Sequence, residues 1–290
     1  YRDHQFTQEF QLLFNSERLH GIAGLFYLNA NAAGAFDTIL GNLGVTILDA
    51  GNVETKSYAA FADASYDVTD KLEVSVGGRW TKDDKTGTVL RSTYLGLGSP
   101  YFGNTKAIFI KPNTNNTNDR SFDQFTPKAS VSYKLTPELT TYASYGKGFK
   151  SGGFDMRGDA SLYPATVNGY NPETVDSFEV GLKGSLIDHR LNFSADVFDS
   201  KYKDQQITTQ YPTSSGAIAS VVDNVGSSTI KGAEFEGSFL IADELTANVA
   251  VGYIDAKFDK YLAFTPGATG AACAPNPPSP PVAQGCFVDV

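Results

Sequence analysis

The stretch YGKGFKSGGFD, residues 145–155, contains residue types that bind phosphate, namely four glycines and two lysines. A P-loop has a glycine five residues before its Gly-Lys pair and a serine or threonine directly after the lysine. Here Gly146-Lys147 is followed by Gly148, so this spacing does not fit. A dinucleotide-binding loop opens a helix, but residues 156–173 contain two prolines and no helical period. The stretch therefore predicts no nucleotide site.

The other reactive residue types are scattered along the chain. The 3 histidines are far apart, the acids show no EF-hand spacing, and no Ser–His–Asp set can be assembled from the sequence. We therefore expect no enzyme, no resident metal and no cofactor. The two cysteines, Cys273 and Cys286, lie close together in a proline-rich segment. This arrangement favours a local disulfide formed in an oxidising compartment.

Composition narrows the class of protein further. Charged residues make up 19% of the 290 residues, below the usual quarter for a soluble domain. The aromatic content of 12% together with 28 glycines favours β-structure. A formal net charge of −9 argues against a general nucleic-acid-binding protein. No run of eighteen apolar residues is present, so no transmembrane helix is expected.

Hydrophobic alternation with a period of two is the main structural signal. In LEVSV, Leu72, Val74 and Val76 fall on one face, whereas Glu73 and Ser75 fall on the other. Similar patterns predict about ten antiparallel strands. They are near residues 5–14, 19–29, 55–67, 71–83, 121–134, 139–149, 174–187, 190–206, 229–241 and 244–259.

The predicted connections alternate between two classes. The tight links NSER, VTDK, TPE, IDH and ADE consist of turn formers, as hairpins require. The other links are long and rich in Gly, Asn, Thr, Pro and Tyr: 30–54, 84–120, 150–173, 207–228 and 261 onward. The pattern predicts an up-and-down sheet with short turns at one end and long loops at the other.

These strands are too long for an ordinary soluble β-sandwich, whose strands average about five or six residues. About eleven residues rising about 3.4 Å each with a tilt of about 45° climb roughly 26 Å, which matches the apolar band of a transmembrane β-barrel. The face opposite the apolar one carries charges that a dry core would not accept: Glu73, Arg79, Glu179, Lys183, Asp196, Glu234 and Glu236. Aromatics near strand ends fit the interfacial girdles of such barrels: Tyr66, Trp80, Tyr133, Tyr145 and Tyr253.

The segments LTTYASYGKGFKSGGFD, YNPETVDSFEVGLKGSLIDHRLNFSADVFDSKYKDQQI and NVGSSTIKGAEFEGSFLIADELTANVAVGY resemble the TonB-dependent receptors of Gram-negative outer membranes. The resemblance covers residues from about 5 to 260 and marks barrel architecture rather than catalysis. Its most specific positions are Gly148, Phe149, Lys150, Ser151, Gly152, Gly153, Phe154, Pro172, Glu173 and Glu179.

The resemblance implies an active importer in the cell outer membrane, built as a 22-stranded barrel around a plug domain. It implies energy coupling through the TonB–ExbB–ExbD complex, contact with lipid and lipopolysaccharide, and a scarce nutrient as substrate, most often a ferric siderophore. Nucleic acid is not an expected partner. The first alternative is a passive outer-membrane porin; a barrel enzyme such as an outer-membrane protease or lipase and a secreted β-rich binding protein are further ones.

Compared with that family pattern, we expect residues 1–290 to be an interior barrel fragment. No plug sequence or coupling box precedes residue 5, and no closing strand with a terminal aromatic ends the chain. The glycines after Tyr145 then mark a strand end that enters an extracellular loop, where they let the backbone bulge or approach a neighbour closely; the alternative is a merely flexible loop tip.

Loop side chains are the candidate substrate contacts. The aromatic candidates either stack on or enclose a ligand, or they are loop or interface residues without a role in binding. They are Tyr94, Tyr101, Phe102, Tyr163, Tyr170 and Tyr211. Arg157, between Asp155 and Asp159, either meets an anionic siderophore or forms a local ion pair.

Overall fold

The computed structural model describes residues 1–212, 218–266 and 285–289. They form a single antiparallel sheet of eleven strands, in which each strand pairs with the next one in sequence. This confirms the predicted all-β, up-and-down fold. The strands are β1 Arg2–Asn15, β2 Leu19–Leu40, β3 Val45–Asp67, β4 Leu72–Leu95, β5 Ile108–Thr136, β6 Leu139–Lys150, β7 Glu173–Leu186, β8 Leu191–Pro212, β9 Ile218–Ala242, β10 Leu245–Pro266 and β11 Gly285–Asp289.

Helical structure within the described ranges is confined to three short 3-10 segments, Gly41–Leu43, Pro100–Phe102 and Pro164–Asn168. None of the helices in these ranges is long and apolar enough to cross a membrane.

The predicted loops at 30–54, 84–120 and 207–228 are largely wrong, because the strands continue through most of them. The register of β2 with β3 runs without a break from Leu19↔Tyr66 to Leu40↔Val45. On β5, threonine and asparagine in residues 111–120 line both faces, so the period of two disappears there although backbone pairing with β4 continues. The strand β11 also lies in a segment predicted as loop. The segment between β6 and β7 is a true loop, as predicted.

One face of the sheet carries a continuous band of exposed apolar side chains. Residues paired across antiparallel strands share a face, and the pairs Leu25↔Ala60, Ala60↔Trp80 and Trp80↔Phe125 follow this face across four strands. Leu25, Trp80 and Phe125 are 61%, 43% and 56% exposed. The face continues on later strands through Val131, Phe178, Val180, Val197, Phe235, Val249, Val251 and Tyr253. Such an area is far larger than a soluble monomer leaves open.

The height of the band fits a bilayer. On β4 it runs from Leu72 to Trp80, about nine residues, which climb roughly 22 Å at about 3.4 Å each and a tilt of about 45°. The next residues on the same face are charged, Lys82 and Asp84. The five predicted girdle aromatics all lie on this face by register: Tyr66, Trp80, Tyr133, Tyr145 and Tyr253.

The opposite face is polar, as predicted from the alternation. Asp196 and Glu234 are register partners there, and Glu236 pairs with Ser194. Glu179 accepts a hydrogen bond of 2.6 Å from the Tyr142 hydroxyl. The sheet therefore separates two environments, an apolar one outside and an aqueous one on the polar face.

We predict that an arginine substitution lowers the stability of the protein in a membrane only when it lies on the apolar face. Val249→Arg places a charge at mid-band and should lower the free energy of unfolding of the full-length protein in lipid vesicles by about 2–4 kcal/mol. Ala250→Arg is the matched control, because Ala250 lies on the polar face opposite Glu236. It should change stability by less than about 1 kcal/mol. Equal losses in urea titrations of the two variants would contradict the assignment of the faces.

Candidate functional site

The loop between β6 and β7, residues 151–172, lies against the polar face of the sheet; we call it the strap. Its side chains and backbone contact β4 and β5 on one side and β8 and β9 on the other. Strands so far apart in the sheet can share one short loop only if the sheet curves with its polar face inside. The polar face is therefore concave, and the strap occupies part of the space that it encloses.

Side chains of β5 hold the middle of the strap through its backbone. The Thr114 hydroxyl donates to the Gly158 carbonyl at 2.6 Å and accepts from the Ala160 amide at 2.8 Å. Asn118 donates to the Val167 carbonyl at 2.9 Å. Because these bonds use backbone groups, they fix the path of the strap whatever side chains it carries.

Polar contacts from β4 and β8 hold the two ends of the strap. The Lys85 ammonium donates to the Gly152 carbonyl at 2.7 Å. The Gln206 amide donates to the carbonyls of Ser151 and Asn171, both at 3.0 Å. The start of the strap is thus held from both β4 and β8, and its end is held from β8.

An arginine at the centre of the strap's contact area joins three segments. Arg91 on β4 lies 2.7 Å from the Asp49 carboxylate on β3 and 3.6 Å from the Asp159 carboxylate of the strap. The same guanidinium donates to the Arg157 carbonyl at 2.7 Å. Asp159 also accepts from the Asn113 amide at 2.7 Å. We call Asp49, Arg91 and Asp159 the latch.

The two carboxylates of the latch are buried, and burial affects the protonation of Asp49. Asp49 lies on β3 well beyond Tyr58, at the level of the strap rather than the apolar band. Burial raises the pKa of the Asp49 carboxyl to about 6; Arg91 opposes this rise, and Asp155 and Asp159 add to it. A raised carboxyl pKa means that the buried arrangement loses stability as the pH rises through about 6. Pairing with Arg91 limits that loss.

A stacked pair of tyrosines attaches the strap to β8. The rings of Tyr163 and Tyr211 are 4.8 Å apart and nearly parallel. Both are buried together with Ala219 and Val221. The Tyr211 hydroxyl donates to Asp223 at 3.0 Å. Here the strap has an apolar attachment in addition to its polar ones.

The glycines of the family motif allow this close packing. A Cβ at Gly152 would overlap the Phe122 ring on β5 and the Tyr170 carbonyl. Gly153 and Tyr170 exchange two backbone hydrogen bonds of 3.1 and 2.8 Å, which closes the strap on itself. The glycines therefore allow the strap backbone to pack closely against β5 and against itself, as expected from the sequence. The motif lysine Lys150 is exposed, 3.9 Å from Glu173.

Small pockets remain beside the strap. One of about 230 Å³ is lined by the latch together with Arg157, Leu162 and Ser220. Another of about 170 Å³ lies between Tyr163, Tyr170 and Asp223. These two volumes are below the range of about 300–1,000 Å³ typical of drug-sized ligand sites, whereas a third pocket of about 390 Å³, between β5 and Ala160, Ser161 and Val167 of the strap, lies within it.

The predicted substrate residues fall into two groups. Arg157, Tyr163, Tyr170 and Tyr211 belong to the strap or contact it on the concave side. Tyr94, Tyr101 and Phe102 lie elsewhere, in or beside the loop after β4, which packs on the outer face through the bond from the Ser99 amide to Asp37 at 2.7 Å. The structure does not bring the two groups together, and substrate contact stays a prediction for all seven. Arg157 lies 3.4 Å from Asp155, the predicted local ion pair.

Sequence reasoning missed the anchors of the strap: Asp49, Lys85, Arg91, Asn113, Thr114 and Asn118. All of them lie in segments predicted as loops. The available signal was the run KPNTNNTNDR, which supplies many side-chain donors in a row.

Neither a metal centre nor a disulfide is described. No group of three or more His, Cys, Asp or Glu residues that could hold a metal ion occurs among residues 1–212, 218–266 and 285–289. Cys273 lies outside these ranges, so its pairing with Cys286 stays a prediction.

Comparison with known proteins identifies the family. A family model described as TonB dependent receptor-like, beta-barrel, matches residues 1–275. The metal-pseudopaline receptor CntO of Pseudomonas aeruginosa is 31% identical over 136 residues, which are 47% of this chain and 17% of that protein. The ferric-pyoverdine M114 receptor PbuA of Pseudomonas sp. (strain M114) is 29% identical over 155 residues, 53% of this chain and 16% of that protein. The alignments thus span less than a fifth of either relative.

Solved structures show the same fold. The ferric yersiniabactin uptake receptor FyuA from Yersinia pestis superposes with a TM-score of 0.69 at 18% sequence identity, covering 88% of this chain and 35% of that one. Because the family model matches nearly the whole chain, this chain belongs to the TonB-dependent receptor-like β-barrel family.

Proposed function

We propose that the chain forms part of the wall of an active transporter in the outer membrane of a Gram-negative bacterium. Its substrate is a scarce nutrient, most simply a ferric siderophore, and its energy comes from TonB with ExbB and ExbD. The names of the two relatives, one a metal-pseudopaline receptor and one a ferric-pyoverdine receptor, support a metal chelate as substrate.

The observation that carries the proposal is the position of the strap on the concave face. A passive pore needs an open lumen, whereas the strap occupies part of the space on the concave face and is held from two walls by backbone-directed hydrogen bonds. Each such bond stabilises the closed arrangement by only about 0.5–1.5 kcal/mol net. Together they keep the strap closed at rest, and an applied force can break them one after another. The strap therefore acts as a gate above the lumen.

The rest of the barrel is also part of the proposal. The outer edges of β1 and β11 carry backbone groups that no described strand satisfies, and a bilayer does not tolerate unpaired edges. Further strands, up to the 22 of large plugged barrels, would pair with these edges. A plug domain would fill the lumen beneath the strap and transmit the force from TonB.

Within this proposal, substrate first meets the strap. Arg157 points its half-exposed guanidinium toward the pocket beside the latch, and it would attract an anionic chelate. Tyr170 and Tyr163 border the second pocket, where their rings would contact the organic part of the ligand.

The test of function is uptake by cells that produce the full-length protein. Iron-55 bound to candidate siderophores should accumulate at least tenfold above cells lacking the gene, and a protonophore or deletion of tonB should abolish the accumulation. In planar bilayers the purified protein should show no steady ion conductance. Steady conductance together with uptake that persists without TonB would establish a passive pore instead.

Fixing the strap to the wall should stop transport. Thr114→Cys with Ala160→Cys places one thiol where the Thr114 hydroxyl now accepts from the Ala160 backbone amide at 2.8 Å, and the second thiol on that same strap residue. With Cys273 and Cys286 replaced by serine, oxidation of this pair should reduce uptake at least tenfold, and a reductant should restore it.

The matched control joins two wall strands that need not move. Thr88 on β4 and Thr117 on β5 are register partners whose hydroxyls lie 3.0 Å apart. Oxidised Thr88→Cys with Thr117→Cys should transport at the parental rate. Parental uptake with the strap cross-link fully formed would refute the role of the strap as a gate.

A further inference from the structure

An apolar patch lies on the concave wall beyond the latch. Asp49 and Arg91 are register partners, and the pairing of β3 with β4 continues without a break from them to Val45 and Leu95. Because side chains alternate along a strand, Val45 and Leu95 lie on the same concave face as the latch. Their partners on the flanking strands β2 and β5 are aliphatic as well. We call the following set the upper patch: Leu40, Val45, Ile47, Leu95 and Ile108.

The upper patch is open on the concave side. Leu40, Leu95 and Ile108 are 39%, 48% and 62% exposed. The outer face of the same strands is covered at this level, because the loop after β4 packs there and buries Thr46 and Leu48. Within the described ranges, the chain thus covers one face here and leaves aliphatic side chains in water on the other.

The bilayer does not reach the upper patch. Leu95 follows Trp80 by 15 residues on β4, a climb of roughly 36 Å at about 3.4 Å each and a tilt of about 45°. The row from Leu40 to Ile108 crosses three strand spacings, roughly 14 Å at about 4.8 Å each. Its shape suits an extended apolar chain rather than a compact group.

The patch is continuous with the pocket beside the latch. Phe36 lines that pocket from β2, and Leu40 lies four residues further along the same face. Arg157 lines the pocket too, and its side chain is 52% exposed despite the ion pair with Asp155. Lys111 on β5 is also exposed and donates to a strap hydroxyl at 3.3 Å. The concave side therefore presents cations at the foot of the patch and aliphatic side chains above them.

We propose that the substrate is an amphiphilic metal chelate, with an anionic head beside Arg157 and a saturated acyl chain on the upper patch. The chain would cover aliphatic side chains that otherwise face water, and each methylene removed from water strengthens binding by up to about fourfold. A wholly polar chelate would leave the patch exposed. The inference rests on the proposed function and adds the chemical class of the substrate.

The test uses dodecanoic acid with a diazirine at its chain end, whose carboxylate stands in for the anionic head. It is added to outer-membrane vesicles from cells that produce the full-length protein. After irradiation, peptide mass spectrometry should find the label in residues 40–47 and 95–108. The probe also enters the bilayer, so label in the lipid-facing band serves as the internal reference. Excess dodecanoate should lower the patch signal at least about tenfold and butanoate should not, because a short chain buries too little apolar surface.

Two serine pairs on the same strands separate the faces. Leu40→Ser with Ile108→Ser should lower the patch signal, relative to the band, at least about tenfold. Ile39→Ser with Phe109→Ser is the matched control, because these exposed residues adjoin the first pair and face outward. The control should label like the parent. Arg157→Gln should lower the patch signal at least about threefold, since it removes a charge-assisted partner of the carboxylate.

Heat-dependent mobility on gels identifies variants that still fold as barrels. Equal loss in the two serine pairs, displacement by butanoate, or full labelling of the Arg157→Gln variant would each overturn the inference. Label confined to the band would also overturn it and would show that another part of the full-length protein covers the patch. Iron-55 uptake of chelates without an acyl chain would then still decide the proposed function. Failure of every chelate to enter by way of TonB, with the patch labelled, would refute the proposed function and with it the substrate assignment.

Discussion

The structure depends on the need to satisfy every backbone hydrogen bond in a sheet that has different solvents on its two faces. Inside a bilayer no water is present to hydrogen-bond with backbone groups, so the strands must pair along their whole length. Alternation then sends every second side chain to lipid and the others to the lumen. The pairing of each strand with the next from β1 to β10, with Leu25, Trp80 and Phe125 exposed on one face, follows from this constraint.

The same constraint explains why the strap can exist. A polar concave wall offers side-chain donors such as Asn118 and Lys85 that need partners. A loop folded inward supplies backbone carbonyls to them, and an apolar wall could not hold it in this way. The half-buried Arg91 lies between two buried carboxylates, and removing a charge from water is costly unless it is paired. Asp49 from the wall and Asp159 from the strap meet that requirement.

Sequence reasoning predicted the parts of the chain in which the two faces differ. Leu72 to Trp80 alternates clearly because one side meets lipid, and the hairpin turns at the other end are short and rich in turn formers. Sequence reasoning failed to predict the strands above the apolar band, where both faces of the sheet are exposed to water. Residues 108–120 of β5 show no alternation although they pair with β4. For the same reason the latch was missed: Asp49 and Asp159 are 110 positions apart in the chain, and only the fold brings them to Arg91.

The most direct test of the two-solvent sheet is a scan of nitroxide spin labels through residues 245–253 of the full-length protein in lipid vesicles. The account predicts that oxygen relaxes labels at the odd positions strongly and that a water-soluble nickel complex relaxes labels at the even positions. Low accessibility to both reagents at the odd positions, or no period of two, would show a dry packed core and contradict the account.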